Sequence, residues 1–416
     1  MADGTSFAPD PHLKQQLRRA ERTRQWRAFA LIAPLLAYLL FTFLIPIAGM
    51  LWRSVEDRDV GSVLPRTLAA LQTWNGHDLP PEPAFAALAA DLMEARAAGT
   101  VAVAAKRLNY DINGFRSIVM STARQMKTPP EAGQARDTLI ALHPAWGERA
   151  SWAAIRRAEG PVSDFFLLAA LDRHRDADGR IVRAAEETAI YLDVLGRTFA
   201  VSLGVTALCL LLGFPVAYLL ATVSTATGNL LMILVLLPFW TSLLVRTAAW
   251  IVLLQNEGII NSGLLHLGLI EEPIRLIFNR TGVFIAMTHV LLPFMILPLY
   301  SVMKAIPPTY MRAAASLGAP PHTAFLRVYF PQTLPGVGAG ALLVFILAIG
   351  YYITPALVGG AGDQMISYFI AFHTSDTANW GMASALGAVL LAATLMLAGV
   401  YARLVGTPGR NPGEKA

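Results

Sequence analysis

Six long apolar stretches constrain the fold of this chain more than any other feature of its sequence. A helix needs about 20 mostly apolar residues to cross the hydrocarbon core of a bilayer. Charged residues make up only 15% of the 416 residues, and they concentrate in residues 1–27 and 53–187. The sequence therefore predicts an all-α integral membrane protein with six transmembrane helices, at Ala28–Leu51, Arg197–Ala221, Asn229–Leu254, Gly282–Met303, Val337–Leu357 and Met382–Leu404.

A polar segment, residues 53–192, separates the first apolar stretch from the second. It is too long for a simple loop, so we predict a small, mostly helical domain inserted on the outer face. Helical composition is found at Ala84–Ala105, Leu108–Gln125 and Ala150–Ala158, and Asp178 followed by Gly179 indicates a turn. Both a structural cap over the outer mouth and a docking surface for a substrate-carrying protein fit these residues.

Basic residues set the expected orientation, because cytoplasmic flanks of membrane helices are enriched in lysine and arginine. The first apolar stretch is preceded by Lys14, Arg18, Arg19, Arg22, Arg24 and Arg27. We therefore expect a cytoplasmic N-terminus and, after six crossings, a cytoplasmic C-terminus. The first stretch exceeds the roughly 7–15 apolar residues of a signal-peptide core, so we expect it to remain as an anchor.

One loop between two apolar stretches, Arg312–Gly336, is amphipathic and punctuated by proline and glycine. Gly318 can end a first short helix in a left-handed cap, and Pro321 suits the first turn of a second helix. We expect that second helix to end at Pro331, and Pro335 to begin the next membrane helix. Such a helix pair can sit in a groove of a partner protein or lie on lipid headgroups.

This loop resembles the EAA loop of ATP-binding cassette (ABC) importer permeases, the cytoplasmic element that docks into the ATPase subunit. The match rests on the spacing of Ala313 and Ala314, Gly318, and Leu334 with Pro335. The signature's glutamate position holds Arg312, which reverses one charge of the expected contact. Further segments resemble the spermidine/putrescine branch of these permeases, and they are Pro238–Leu254, Gly258–Leu264, Leu292–Tyr300 and Gly350–Gly360.

The resemblance covers roughly residues 195–405 and the first apolar stretch, and it implies a type I ABC importer permease in a bacterial inner membrane. The implied organisation is a cytoplasmic basic segment at 1–27, a first transmembrane helix at 28–52, a periplasmic insert at 53–192, a permease core with five transmembrane helices at 193–405 that includes the cytoplasmic coupling loop 306–336, and a cytoplasmic tail at 406–416.

The resemblance also implies the partners. These are an ABC ATPase dimer, a second permease subunit or a second copy of this chain, and a periplasmic solute-binding protein. The phosphate-binding pattern GxxxxGK[ST] occurs nowhere in the sequence. We therefore expect no enzymatic activity, no catalytic or metal-binding residue and no cofactor on this chain, with ATP and Mg²⁺ held by the ATPase.

Two sets of residues are candidates for function. The coupling-loop set, implied by the resemblance, is Arg312, Ala313, Ala314, Ala315, Leu317, Gly318, Phe325 and Pro335. The candidate substrate path combines polar groups, which are costly in a membrane, with aromatic rings that suit a polyamine's ammonium groups. It consists of Arg246, Trp250, Asn256, Glu257, Tyr351, Tyr352, Thr354 and Asp363.

Each path residue has a structural alternative. Arg246 could be a structural arginine satisfied by carbonyls, the aromatic residues could form the interfacial belt, and His289 could be a buried hydrogen-bonded histidine or a proton relay. For the chain as a whole, the first alternative is the same machinery importing an opine or amino-acid-like solute. An ion-coupled secondary transporter is the alternative from another class, although such folds carry intramembrane acids that these stretches lack.

Overall fold

The computed structural model describes residues 11–405, so the predicted tail 406–416 and the first ten residues lie outside the described part. Helix α1 (Pro11–Leu39) passes through one π-helical turn, Leu40–Leu44, into α2 (Ile45–Arg53). The apolar part, Arg24–Arg53, is long enough to cross a membrane. Its large apolar side chains are exposed within this unit, as expected of a helix in contact with lipid. Residues 54–405 form a second compact unit.

The polar segment folds as a helical domain that ends in a two-stranded hairpin. Its elements are α3 (Asp59–Val63), α4 (Pro65–Leu71), α5 (Glu82–Ala98), α6 (Val101–Asp111), α7 (Phe115–Gln125), α8 (Ala135–Leu142), α9 (Arg149–Arg157), α10 (Phe165–Ala170), β1 (Arg173–Arg175) and β2 (Ile181–Arg183). The strands are antiparallel, with His174 opposite Val182. The predicted helices Ala84–Ala105 and Leu108–Gln125 are each divided, because Gly99 and Gly114 adopt left-handed conformations at φ 72° and 83° that a helix cannot continue through.

The two fully buried tryptophans of the insert core, Trp146 and Trp152, keep their polar atoms paired. Trp152 donates its indole N–H to the Trp146 carbonyl at 2.9 Å, and Trp146 donates to Thr122 Oγ1 at 2.9 Å. Both rings are fully buried, together with Phe85 and Phe115. Because buried indole groups need a partner, these bonds fix the mutual orientation of α7, α9 and the segment between α8 and α9.

A buried arginine organises the side of the insert that faces the membrane core. Arg107 holds Asp57 through Nε and Nη2 at 2.9 and 2.6 Å and Asp111 through Nη1 at 2.7 Å. Its guanidinium stacks 3.8 Å from the centre of the Phe165 ring. A buried charge is tolerated when it is paired and hydrogen-bonded throughout, so this network ties α6 to the segment before α3 and to α10.

The membrane core comprises α11 (Tyr191–Thr222), α12 (Thr225–Leu236), α13 (Leu243–Leu254), α14 (Ile259–His266), α15 (Arg280–Ala305), α16 (Thr309–Ser316), α17 (Pro321–Ala324), α18 (Phe330–Ile349), α19 (Ile353–Val358), α20 (Ile366–Ser375) and α21 (Trp380–Val405). Helices α11, α15 and α18 pack together at its centre. Within residues 11–405, six helical segments are long and apolar enough to cross a membrane. The predicted all-α class with six membrane helices is therefore confirmed.

The third predicted membrane helix, Asn229–Leu254, is wrong as a single element. Helix α12 ends in a 3₁₀ turn, Leu237–Trp240, and Thr241 and Ser242 are extended at ψ 145° and 143° before α13 begins. Pro238 lies in this turn and has no N–H to donate, which favours a break. The segment that is long and apolar enough to cross a membrane is instead Leu243–His266, which contains α13 and α14.

The fifth predicted helix, Val337–Leu357, is also displaced along the chain. The observed segment, Pro321–Ile349, begins inside the coupling loop and passes through a π-helical turn at Phe325–Tyr329. The second loop helix therefore does not end at Pro331 but continues into the membrane. Since Pro331 has no N–H for the preceding turn, the wider π turn accommodates it. The helix stops at Gly350, and α19 is a separate short helix.

Several contacts join the insert to the start of α11, to α20 and to the segment before α21. Asp172 accepts hydrogen bonds from the backbone N–H groups of Tyr191 and Leu192, at 2.9 and 2.7 Å, and so caps the start of α11. Lys106 Nζ donates to the carbonyl of Thr377 at 2.9 Å. The Tyr191 hydroxyl lies 2.9 Å from His373 Nε2, and burial lowers the pKa of His373, which favours the neutral ring. The insert is therefore attached to the core by side chains as well as by the chain itself.

Glycines allow the central helices to approach closely. A Cβ at Gly340 of α18 would lie 2.8 Å from Met295 Sδ and 3.2 Å from the Met295 carbonyl of α15, whereas a Cβ at Gly387 of α21 would meet nothing within 4 Å. Small residues at such positions are a recurrent device of membrane helix packing.

We predict that Gly340→Ala lowers the stability of the folded protein by about 1–3 kcal/mol, the usual cost of overpacking a core. The matched control, Gly387→Ala, should leave stability unchanged or raise it slightly, since alanine favours a helix more than glycine does. Thermal unfolding of both purified variants in detergent measures the difference. Equal unfolding temperatures for the two variants would contradict the close approach of α15 and α18.

Candidate functional site

The predicted coupling loop forms two helices around a left-handed glycine. Gly318 has φ 83°, its N–H donates to the Ala315 carbonyl, and the Ala319 N–H donates to the Ala314 carbonyl, each at 3.0 Å. This pattern closes the end of α16 as a Schellman cap. Leu317, at the tip, is 88% exposed. The loop thus presents a compact, ordered surface with an unpartnered leucine at its apex.

The alanines of α16 divide between two faces. Ala314 is buried, whereas Ala313, Ala315 and Arg312 are exposed. Among the described residues Arg312 makes no ion pair, although its carbonyl accepts a hydrogen bond from Ser316 Oγ at 3.0 Å. The guanidinium at the position of the signature glutamate is therefore free for a partner. Small side chains beside it allow another surface to come close.

Aromatic rings connect the loop to α11. Phe325 stacks on Tyr329 at 5.6 Å between ring centres and meets Tyr218 of α11 edge-on at 5.7 Å. Lys304, at the end of α15, donates to the Ala221 carbonyl at 3.4 Å. Edge-to-face aromatic contacts contribute directional packing, so the loop is packed firmly against the C-terminal end of α11. Pro335 lies beyond this cluster, inside α18.

Four residues of the candidate substrate path come together where α13 meets α19. They are Arg246, Trp250, Tyr351 and Thr354. Arg246 lies within electrostatic range of His289 and Tyr351, and its Nε is buried without a hydrogen-bond partner among the described residues. Trp250 donates its indole N–H to His289 Nδ1 at 3.2 Å. His289 is thus hydrogen-bonded, as predicted for a structural histidine.

The break after α18 places the two tyrosines differently. Tyr351 is partly buried, whereas Tyr352 is 43% exposed. Thr354 is fully buried, and its hydroxyl lies 3.3 Å from that of Thr247 on α13. The break after Gly350 therefore brings aromatic and hydroxyl groups beside Arg246, at a point where the sequence predicted an uninterrupted helix.

Asp363 is engaged within its own loop. One carboxylate oxygen lies 3.0 Å from Arg280 Nε and the other accepts the Gly360 N–H at 3.2 Å. Asp363 also donates its own N–H to the Gly360 carbonyl at 3.0 Å. The carboxylate thus links the segment after α19 to the start of α15, and its hydrogen-bonding capacity is largely used there.

Asn256 and Glu257 lie apart from the α13–α19 group, in an open cleft of about 580 Å³ beyond the end of α13. The other lining residues are Gln255, Arg275, Ile277 and Phe278. Neither Arg275 nor Phe278 belongs to the predicted substrate path. They lie 18 and 21 positions from Glu257, so only the fold of the intervening segment brings them together.

Comparisons with known proteins define the class to which this arrangement belongs. The family described as "binding-protein-dependent transport system inner membrane component" matches residues 209–406. The chain belongs to this family of ABC transporter permeases, so it is a translocation subunit of a multi-pass inner membrane system and not an enzyme.

Among the relatives are two permeases of the spermidine/putrescine branch of this family. The chain is 35% identical over 214 residues to the spermidine/putrescine transport system permease protein PotB of Escherichia coli (strain K12), covering 51% of this chain and 78% of that protein. It is 36% identical over 214 residues to the PotB protein of Haemophilus influenzae, covering 51% and 75%. The resemblance to the spermidine/putrescine branch is therefore confirmed.

Two solved structures match about half of the chain. A bacterial ABC transporter involved in the import of alginate matches with a TM-score of 0.42 at 19% identity, covering 53% of this chain and 80% of that chain. An amino acid ABC transporter with histidines matches with a TM-score of 0.37 at 18% identity, covering 53% and 94%.

We predict that Asp363→Asn weakens the loop after α19, because it removes one charge of the pair with Arg280. The expected loss of stability is roughly 1 kcal/mol, since the Arg280 side chain is 53% exposed and water screens the pair. Asp376→Asn is the matched control, as Asp376 is exposed and makes no ion pair in the described part of the chain. Thermal unfolding in detergent compares them, and equal effects of the two substitutions would show that Asp363 does not hold this loop.

Proposed function

We propose that this chain is the permease subunit of an ATP-driven importer for a small organic cation of the polyamine class, such as putrescine or spermidine. The observation that carries the proposal is the 35% identity to a spermidine/putrescine permease over 214 residues. The family match at residues 209–406 includes the coupling loop and the α13–α19 group. Membership of a binding-protein-dependent family favours this reading over the ion-coupled secondary transporter. The same machinery importing an opine or amino-acid-like solute is the second candidate, favoured by Arg246 and Arg275, which suit an anionic group.

The proposed orientation follows from the basic residues before the first apolar stretch. Both termini and the loop around Gly318 face the cytoplasm, and residues 53–192 face the periplasm. The exposed α16 surface then meets a separate ABC ATPase dimer, which holds ATP and Mg²⁺, while this chain binds no cofactor. A second permease subunit, or a second copy of this chain, completes the pathway.

The proposed mechanism is alternating access driven from the loop. Closure of the ATPase dimer displaces α16 and the start of the Pro321–Ile349 helix. The Phe325–Tyr218 contact, 5.7 Å between ring centres, passes that displacement to α11. Because α11, α15 and α18 are closely packed, they move together, and the pathway beside α13 and α19 opens to the other side.

The insert is proposed to receive the solute-binding protein. Its attachments through Asp172 and Lys106 support this role, since a partner that docks on the insert would act on the outer end of α11 and on the segment before α21. A cap over the outer mouth is the simpler role, and it requires only that the insert stay attached.

A cross-linking experiment tests the docking of the loop. We predict that Ala315→Cys, labelled with a bifunctional reagent in the intact complex, links to the ATPase, because Ala315 is exposed on α16. The matched control is Ala132→Cys, since Ala132 is exposed on the insert and should give no link. The native Cys209 is fully buried and does not compete for the reagent. An intact complex without the Ala315→Cys link would overturn the proposed interface.

A second experiment tests the substrate class. We predict that the purified complex in nanodiscs hydrolyses ATP faster when its binding protein is loaded with putrescine or spermidine than when that protein is empty. Stimulation by an amino-acid-like solute alone would move the assignment to the second candidate. Absence of any ATPase from the purified complex would contradict the importer function itself.

A further inference from the structure

The cleft beyond α13 has two lips that are distant in sequence. One lip is the segment 255–257 between α13 and α14, and the other is the segment 275–278 before α15. The space between them, about 580 Å³, falls in the range of about 300–1,000 Å³ that is usual for small-molecule sites. It lies at the end of α13 opposite to Ser242, next to the helix that carries Arg246 and Trp250.

One buried side chain holds the two lips together. Asn261 of α14 is 0% exposed, and its Nδ2 donates to the Gln255 carbonyl at 3.1 Å and to the Ile274 carbonyl at 2.9 Å. Its Oδ1 accepts the Ile274 N–H at 3.0 Å. Because the buried Asn261 amide uses both its donor and its acceptor group in these bonds, it fixes one relative position of the two lips. The cleft is therefore formed before any ligand arrives.

An aromatic ring is held exposed at the second lip. Phe278 has φ 56°, a left-handed conformation that is uncommon for bulky residues and points to a functional constraint. The conformation is fixed by its N–H, which donates to the Val358 carbonyl at 2.8 Å, and by Gly360, where a Cβ would come within 2.8 Å of the Phe278 carbonyl. The side chain is nevertheless 50% exposed. The backbone thus positions a ring at the cleft and does not bury it.

The charged groups of the cleft are available for a ligand. Glu257 is exposed and makes no ion pair within the described residues, and Arg275 on the other lip is likewise unpaired there. A carboxylate, the side-chain oxygens of Gln255 and Asn256, and the face of an aromatic ring together are the acceptors that an ammonium group needs. Arg275 repels an ammonium group, so the Glu257 carboxylate is the charge that favours one in this cleft.

From this set we infer that the cleft is a vestibule that receives one ammonium group of the incoming organic cation, with the Glu257 carboxylate and the Phe278 ring as its contacts. The inference rests on the proposed function and adds the place where the solute first meets the permease. It also assigns Phe278 as a substrate-contacting residue.

The test separates handling of the solute from contact with the binding protein. The complete complex is reconstituted in proteoliposomes, and uptake of labelled putrescine is measured as the concentration of loaded binding protein is raised to saturation. We predict that Glu257→Gln lowers the saturating uptake rate roughly three- to tenfold, the effect of losing one charge-assisted contact. The concentration of binding protein at half-maximal uptake should not change.

Matched variants define the controls. Glu272→Gln removes an exposed carboxylate from the same connection but outside the cleft, and it should transport like the unaltered protein. Phe278→Leu should lower the saturating rate roughly two- to fivefold, as expected for an exposed cation–π contact, and Phe278→Tyr should retain it. Arg275→Gln should leave the rate unchanged or raise it.

Each other outcome has a distinct meaning. Equal uptake by Glu257→Gln and Glu272→Gln would overturn the vestibule while leaving the proposed function intact. A higher half-maximal concentration of binding protein with an unchanged saturating rate would assign the cleft to the binding protein and also overturn it. If the unaltered complex transports no polyamine but transports an amino-acid-like solute, the proposed substrate is wrong. The assignment of the cleft to an ammonium group of a polyamine is then wrong as well.

Discussion

The close contact of three helices around Met295 is the packing on which the membrane core depends. Met295 of α15 fills the space left by Gly213 of α11 and Gly340 of α18, where added Cβ atoms would approach it to 3.2 and 2.8 Å. In a lipid environment there is no hydrophobic force to drive helices together, so such van der Waals contact carries much of the association. The three helices consequently form one closely packed body, to which the elements at either end are attached.

Two breaks in the chain lie beside this body. The chain is interrupted after Pro238 and again after Gly350, and the short helices that follow meet where the Thr247 and Thr354 hydroxyls lie 3.3 Å apart. Irregular backbone at membrane depth is tolerated only where it is buried in protein or lines a water-filled cavity. The breaks therefore concentrate polar groups on one side of the rigid body, and Arg246 lies among them. This arrangement suits a pathway whose walls shift against a fixed centre.

The sequence predicts those features that depend on local composition. Four of the six membrane helices begin or end within a few residues of their predicted limits at one end or both, because apolar length is a local property. The left-handed cap at Gly318 was also predictable, since glycine there follows a short run of helix formers. Whether a proline interrupts a helix was not predictable. Pro215, Pro293 and Pro335 lie inside continuous helices, whereas Pro238 lies at a break, and only packing distinguishes them.

The site is less predictable than the fold for the same physical reason. Asn261 reaches Ile274 across 13 positions and Asp172 reaches Tyr191 across 19, and no pattern of neighbouring residues indicates either contact. Glu257 could be chosen from the sequence as an acid near the end of an apolar stretch. Phe278 could not, because its exposure results from a left-handed backbone fixed by Val358.

Helix α11 contacts the insert at its first turn and the coupling loop near its last turn. It runs without interruption for 32 residues, about 48 Å at 1.5 Å per residue. Asp172 of the insert caps its first turn, and Tyr218 near its last turn meets Phe325 of the coupling loop. A tilt of so long a rigid helix moves its two ends in opposite directions. In the proposed mechanism, α11 is therefore the element through which the coupling loop and the insert influence each other.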